Sequence, residues 1–531
     1  MVSDDESQVL VVGGGLTGLS CAVFLAWHGV SCTLIEQHLD LVSQPRLRSV
    51  PSVTMELYRQ VGLESQVHNA SNDLSRPDTF MAIRAHTLAS ANYERIPPPK
   101  TERAGVTSPC SRVPIDQDQL ELVLRSYASQ LGVRVHFGTQ LCGYTQSTDG
   151  VYALLRHDDE SRTAMHARYL VAADGASSAV RRRYSATMTG PGTYFHLTTL
   201  LVEADLREAL AGRTVHMAYL DWPRPYTFFM ALDDVGKRWV FGTPSSADSP
   251  LPSNAASISM VRAAAGLPFT SVRLRPQIAG TDITALRFPV TAAVADSFRD
   301  DRVFLVGDAA HPMPPTGGFG GAAGVQDAHN LAWKLAAVLN GHASEALLDT
   351  YDSERRAVAT ATMKQAVLRF QRRFDVTGEG APAPDTIVER NSVMMGYTYR
   401  SAAISDAQVD APTFDKVAAL NGRPGTKAPH VPLSSSLTNG STIDLYGTRF
   451  VVLSGPHDEA WTAAARSLPI EVDSYRLGVD IGGSDLPLRH GIGPRGVLLV
   501  RPDGFVAFRS VGPSRSPAQR LHEALAKALQ R

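Results

Sequence analysis

Residues Val303 to Leu335 read VFLVGDAAHPMPPTGGFGGAAGVQDAHNLAWKL. An apolar run stops at Gly307-Asp308, a loop with Pro312, Pro314, Pro315, Gly317 and Gly318 follows, and an amphipathic helix is predicted from near Ala322. A loop entering a helix presents unsatisfied N–H groups and the positive end of the helix dipole, which together stabilise an anionic or electron-rich group. A reduced flavin, negative near N1 and C2=O, suits such a place. A glycine-rich turn that only closes a βα unit would read the same way.

The balance is tipped near the start of the chain. Gln8 to Val12 is an apolar strand running into Gly13-Gly14-Gly15-Leu16-Thr17-Gly18, a helical period follows from Leu19 to His28, and a second strand, Val30 to Ile35, closes on Glu36-Gln37. This is a dinucleotide fingerprint in its proper context. Gly13 permits the tight turn, Gly15 admits backbone close to a pyrophosphate, and Gly18 lets helix and strand approach. Glu36 stands where a carboxylate takes ribose hydroxyls and repels a 2′-phosphate, so FAD or NAD remain and NADP is disfavoured there.

The elements that position these loops alternate between helical and extended periods. Arg46 and Arg48 lie in a basic loop before the helical stretch around Met55 to Val61, where they would meet phosphate or flavin, or solvent. Gln117 opens a helix with Leu120, Leu124 and Leu131 on one face, placed to reach a polyol or to cap the helix. Asp174 and Ser178 have the types and spacing to hold a loop and cap a helix near Ser177. From Gly192 to Pro289 the pattern alternates and is rich in aromatics, as in an antiparallel sheet with one face over the cofactor and the other in solvent. Tyr219, Phe228 and Trp239 on these strands, with Pro314, are candidates to line a flat aromatic ligand, although such aromatics are more often core. His311 is read as structural rather than catalytic.

The chain of 531 residues, 44% hydrophobic with a formal net charge of -1, is ample for several domains and gives no bulk attraction to nucleic acid or anionic membrane. The acidic start MVSDDESQVL is unlike a secretory signal, and no apolar run is long enough to span a bilayer, so a cytoplasmic protein without membrane partner is the expectation. Cys21, Cys32, Cys110 and Cys142 form neither a CxxC pair nor a zinc spacing, so no metal is expected.

With the glycine fingerprint and Glu36, the Asp174-Gly175 motif and the Gly307-Asp308 motif in this order, the chain resembles the class A flavoprotein monooxygenases (para-hydroxybenzoate hydroxylase-like). The tail, with GYTYRSAAI from Gly396, GRPGTKAPH from Gly422, LYGTRF from Leu445 and GVLLVRPDGFVAFRS from Gly496, looks like the branch that hydroxylates aromatic polyketides. The resemblance implies an α/β and α+β chain: a Rossmann-like FAD-binding domain from 1–75, 112–185 and 291–376, and an inserted antiparallel-sheet substrate domain from 76–111 and 186–290. A helical linker, 377–428, and a C-terminal thioredoxin-like domain, 429–531, would complete it. No cysteine follows Cys142, so that last domain can do no dithiol chemistry and keeps a structural or oligomeric role, a homodimer included.

The resemblance further implies that Gly13, Gly15, Leu16, Thr17, Gly18, Glu36 and Gln37 hold the ADP half of FAD, and that Arg48, Gln117, Asp174, Gly307 and Asp308 reach the ribityl and phosphate region. Pro315, Gly317, Gly318, Gly321, Ala322 and Ala323 would line the flavin ring. One departure is Pro51-Ser52-Val53, where the family often carries Asn-x-Arg. As the family works, NADPH or NADH reduces FAD as a transient donor, O2 adds at flavin C4a, and one oxygen passes to an electron-rich aromatic substrate. Baeyer–Villiger oxygenation of a ketone, or a flavoprotein that sequesters an unstable aromatic intermediate without turnover, are the rivals; an NAD-dependent dehydrogenase would leave Gly307-Asp308 without a task.

Overall fold

The protein is described from a computed structural model covering residues 6–41, 47–72, 80–97, 107–278, 280–374, 387–405, 412–433, 440–457 and 459–531. Four near-continuous apolar stretches, Val9–Val12, Cys32–Ile35, Leu170–Ala172 and Val303–Leu305, are buried on both faces, as strands of a covered parallel sheet must be. Strands Val303–Leu305, Arg162–Ala172, Glu6–Val12, Cys32–Glu36 and Arg134–Phe137 lie side by side and parallel in that order. Helices Leu16–Trp27 and Gly320–Leu339 pack against each other on this sheet. The loops after four of the strands therefore open on one edge, the carboxyl edge where ligands bind in open α/β sheets.

A second sheet holds eight strands drawn from two distant stretches, Ala82–Ile96 and Met188–Ala295. It is antiparallel except where Ala82–Ala85 runs parallel to Met217–Leu220. Its far face differs from the sequence expectation. Instead of meeting solvent, it packs Leu200, Val202, Phe229, Trp239 and Phe241 against Val261, Ala264 and Ala265 of helix Asn254–Ala265. Burial of this apolar face is what fixes the strand parity, since a shift by one residue would turn it outward.

The C-terminal sheet has the order Asp473–Arg476, Val451–Ser454, Val497–Val500, Val506–Ser510, its first pair parallel and the rest antiparallel. Helices Glu459–Arg466 and Pro517–Ala528 share one core with Val452, Leu499 and Phe508. Residues 377–386 of the expected helical linker lie outside the described residues. The described part of 377–428 is less helical than expected: it holds helix Arg390–Met395 and a single 3-10 turn, Val417–Ala419, and is otherwise tied by backbone bridges such as Thr398 to Thr426. Gly396 permits this, because a Cβ there would stand 2.1 Å from Asp415 O. Among the described residues no helix is long and apolar enough to cross a membrane.

The C-terminal sheet and the helices on the first sheet meet around a buried ionic cluster. Arg501, fully buried on the C-terminal domain, donates to Glu354 Oε1 at 2.6 Å and Oε2 at 2.9 Å and also pairs with Asp503. Lys334 Nζ donates to Glu354 Oε2 at 2.8 Å, and Ser401 Oγ to Glu354 Oε1 at 2.7 Å. Burial alone would raise the Glu354 pKa, but Arg501 and Lys334 outweigh it and hold the carboxyl well below its ordinary 4.5. Removing one partner strands the others, so Arg501→Met is expected to cost about 3–5 kcal/mol, read as a lowered Tm beside an Arg520→Met control. A depressed carboxylate pKa contributes stability above its unfolded value and loses it as pH falls below about 4.5. Glu354→Gln should therefore be less stable at neutral pH and show a shallower acid-induced loss, measured by thermal melts from pH 7 to 3.

Candidate functional site

The glycine loop is shaped by close backbone approach. Gly13 has φ +110°, and a Cβ there would stand 2.4 Å from Ala173 O; a Cβ on Gly18 would stand 1.9 Å from Gly13 O. These two glycines are demanded by the fold itself. Gly15 is different: its nearest neighbour would be Glu121 Oε1 at 3.8 Å, so the space over this residue is open to a ligand. The N–H of Leu16 is held by Glu121 Oε1 at 2.8 Å, and Gln117 Nε2 donates to the same oxygen at 2.7 Å. Glu121 went unnoticed in the sequence; its signal was an acid adjoining Leu120 on an apolar helix face, one turn after Gln117.

Glu36 accepts from the N–H of Gly14 at 2.7 Å and of His38 at 2.9 Å, while Gln37 beside it is exposed. Burial opposes its charge, but the hydrogen bonds of His38 and Gly14 prevail and its pKa is lowered. Thr17 points elsewhere: its Oγ1 would be 2.8 Å from a Cβ on Gly307 and 2.4 Å from one on Gly324, so it wedges between loop and helix. Leu16 likewise packs toward Gly321.

Two further loops open on the same edge. Asp174 Oδ2 accepts from Val180 N at 3.2 Å, whereas its Oδ1 is buried without a hydrogen bond. Ser178 caps the short helix Ala179–Arg183 by accepting from Arg181 N at 2.9 Å. The Arg181 guanidinium then bridges this loop to the third, donating to Ala176 O and Ala309 O at 2.7 Å each. Arg48 Nε lies 2.9 Å from Asp116 Oδ1 with Nη1 buried and unbonded; Arg46 lies outside the described residues. Open space over Gly15 and these orphaned polar atoms fit a dinucleotide cofactor laid across the loops.

Asp308 is exposed at the edge, and Gly307 adopts φ +61° under a buried lock. Asp327 Oδ2 accepts from Gly307 N at 3.0 Å and lies 2.5 Å from His311 Nε2, while Asp327 Oδ1 takes Arg355 Nε at 2.6 Å. Asp327, His311 and Arg355 are all fully buried, and the interactions with His311 and Arg355 outweigh the desolvation that would raise the Asp327 pKa, leaving it lowered. His311 thus holds the loop from behind, in keeping with a structural role. The helix starts at Gly320, two residues before the expectation, because Gly317 and Gly318 at φ +88° and +65° turn the chain early. Its N-cap, Phe319, offers no side-chain bond, so the N–H groups toward Gly321 and Ala322 depend on a ligand or water. Pro314 is buried, Pro315 and Gly318 are exposed at the tip, and Ala323 N is satisfied by Phe319 O.

An aromatic wall stands where the second sheet meets the end of helix Asp349–Phe374. Phe228 lies over Gly242, where a Cβ would come within 2.2 Å of its ring, and pairs across strands with Tyr219. Tyr219 Oη accepts from Arg373 Nη1 at 2.9 Å, and Phe195, Tyr226, Phe370 and Phe374 complete the cluster. Trp239 does not join it. The side chain is buried on the far face against Phe229, its Nε1 donating to Gly236 O at 3.2 Å, so it belongs to the core and not to a ligand wall.

Residues 6–366 match the family model described as FAD binding domain, and residues 421–531 that described as aromatic-ring hydroxylase, C-terminal. The chain belongs to the FAD-dependent aromatic-ring hydroxylases. It is 37% identical to tetracenomycin A2 monooxygenase-dioxygenase of Streptomyces glaucescens, over 100% of this chain and 98% of that one. It is 36% identical to 4-methyl-5-nitrocatechol 5-monooxygenase of a Burkholderia species, over 99% and 98%. Among solved structures it superposes on aklavinone-11 hydroxylase, in complex with FAD and aklavinone, with a TM-score of 0.87 at 31% identity over the whole of both chains. The FAD-binding fold and its inserted substrate sheet are those of this hydroxylase family.

The two kinds of glycine separate experimentally. Gly15→Val is expected to retain the apoprotein Tm while weakening FAD binding by at least about tenfold, whereas Gly18→Val is expected to lower the yield of folded protein. Fluorescence titration with FAD and melting curves distinguish them.

Proposed function

We propose that this hydroxylase adds one oxygen to an aromatic polyketide-type substrate, a polyphenol or quinone, in secondary-metabolite biosynthesis. The observation that carries the reading is a pairing: a helix N-terminus without side-chain cap behind an exposed glycine loop, and an aromatic wall built on helix Asp349–Phe374, to which Thr316 ties that loop. The chain is similar to enzymes named for tetracenomycin A2 and aklavinone, and an aromatic polyketide of that type suits such a wall.

Bound FAD would supply the redox chemistry between NADPH or NADH, O2 and an electron-rich ring. The fingerprint loop, Glu36, Arg48, Asp174 and Asp308 would hold its dinucleotide portion at the sheet edge. Gly321 and Ala322 would place the helix N-terminus against the anionic end of the reduced ring. Pro314 and Pro315 stiffen the tip, and Thr316 ties it down through its Oγ1, which donates to Ala366 O at 2.6 Å, so that water is kept from the reacting face. Tyr219, having accepted from Arg373, keeps its own O–H to donate to a substrate oxygen. The nicotinamide donor has no second glycine fingerprint and would visit transiently.

The division of the chain proposed above is supported by the separate cores of the sheets. We also read the C-terminal unit as thioredoxin-like: a βαβ piece and a ββα piece share one sheet, without any cysteine.

FAD-loaded protein should oxidise NADPH or NADH faster in the presence of one member of a panel of naphthoquinones, anthraquinones and larger phenolic polyketides, and that compound should gain a single oxygen by mass. Compounds that perturb the flavin spectrum yet never stimulate turnover would overturn the reading. With the responsive compound, Phe228→Ala should raise KM by about tenfold, while Trp239→Phe should leave KM within about twofold and lower Tm instead.

A further inference from the structure

Three guanidinium groups converge beside the glycine tip. Arg390 Nε donates to Gly317 O at 2.8 Å, and its Nη2 stands 3.4 Å from where a Cβ on Gly318 would be. Arg369 lies over the Phe319 ring, 5.0 Å from the centroid, and donates through Nη1 to Gln365 Oε1 at 2.8 Å and through Nη2 to Val388 O. Arg112 stands just before the two-stranded ribbon of Ser49–Val50 and Val113–Pro114, its Nε donating to Ser49 Oγ at 2.6 Å. Burial, with repulsion from Arg112 and Arg369, pushes Arg390 down to about 10.

Arg112, Arg369 and Arg390 are half-buried, whereas the fully buried arginines are paired, Arg355 with Asp327 and Arg501 with Glu354 and Asp503. Among the described residues no carboxylate stands within ion-pair distance of Arg112, Arg369 or Arg390, and the Arg390 Nη groups make no hydrogen bond. Glu389, adjacent in sequence, is exposed and accepts from Ser392 Oγ. Clustered, desolvated like charges are costly unless an anion joins them, and guanidinium forks suit a carboxylate or phenolate oxygen. The next residue after Arg369 is Phe370, whose ring meets Tyr194 and Phe195 of the aromatic wall. An anion held by the arginines would thus bring an attached ring against that wall.

We propose that Arg390, Arg369 and Arg112 form an anion site that selects aromatic substrates carrying an ionised group, a carboxylate or an acidic phenol, and orients them beside the glycine tip. This rests on the hydroxylase reading only in taking the ligand of the site to be the substrate.

The test uses FAD-loaded protein and a matched pair of probes, 3-hydroxy-2-naphthoate and 2-naphthol, with Kd read from the change in flavin absorbance and no turnover required. The naphthoate should bind at least about tenfold more tightly to the unaltered protein. Arg390→Gln and Arg369→Gln should each raise its Kd by at least about tenfold and leave that of 2-naphthol within about twofold, and Arg390→Lys should keep part of the preference. Absence of preference in the unaltered protein, or equal weakening of both probes, would overturn the proposal. So would variants that raise only the Kd for NADPH in anaerobic flavin reduction, since the arginines would then serve the phosphates of the electron donor. Loss of FAD from both glutamine variants and from Arg112→Gln would assign the cluster to the cofactor and equally overturn it. Because binding is measured without turnover, these outcomes are independent of whether oxygen is transferred.

Discussion

The carboxylate of Asp327 is the constraint on which the site depends. It is fully buried in the middle of helix Gly320–Leu339, and its oxygens are taken by Arg355, His311 and the backbone N–H of Gly307. A buried charge without partners would be intolerable, so helix, loop and the long helix Asp349–Phe374 must keep the one arrangement that satisfies it. That arrangement puts Gly307 at positive φ, turns Asp308 outward to the sheet edge, and sets the helix N-terminus behind the tip. The geometry that receives a cofactor is held from below by a charge the cofactor never meets.

The C-terminal domain is locked in by similar means. Arg355 also donates to Tyr399 Oη at 3.1 Å, and Glu354, next to it in sequence, is gripped by Arg501 from the C-terminal sheet and by Lys334 from the loop's own helix. Adjacent residues on one helix thus face the loop on one side and the last domain on the other. The last domain has no cysteine and so does no dithiol chemistry, and its buried Arg501 ties it to helix Asp349–Phe374. The cluster is desolvated, so salt screens it little.

What the sequence made legible were positions where local geometry admits one residue type. Gly13 and Gly18 are readable because no Cβ fits, and Ser178 because a helix start needs an oxygen. Strand parity was not readable in YTFFMA, where neighbouring phenylalanines point to opposite faces; the far face is decided by helix Asn254–Ala265, and Trp239 went to the wrong side for that reason. Asp327 read as one polar residue of an amphipathic helix, because its partners His311 and Arg355 come from separate elements. Arg112, Arg369 and Arg390 come together from the edge of a ribbon and from two separate helices, a convergence that spacing along the chain does not carry.

The most direct measurement is the FAD dissociation constant of Asp327→Asn, an isosteric change that removes the buried charge without touching the ligand-facing edge. FAD binding is expected to weaken at least about tenfold, with far-ultraviolet circular dichroism of the native form retained. Unaltered FAD affinity in a folded variant would contradict this, because the Gly307-Asp308 loop would then hold its shape without the charge that is said to fix it.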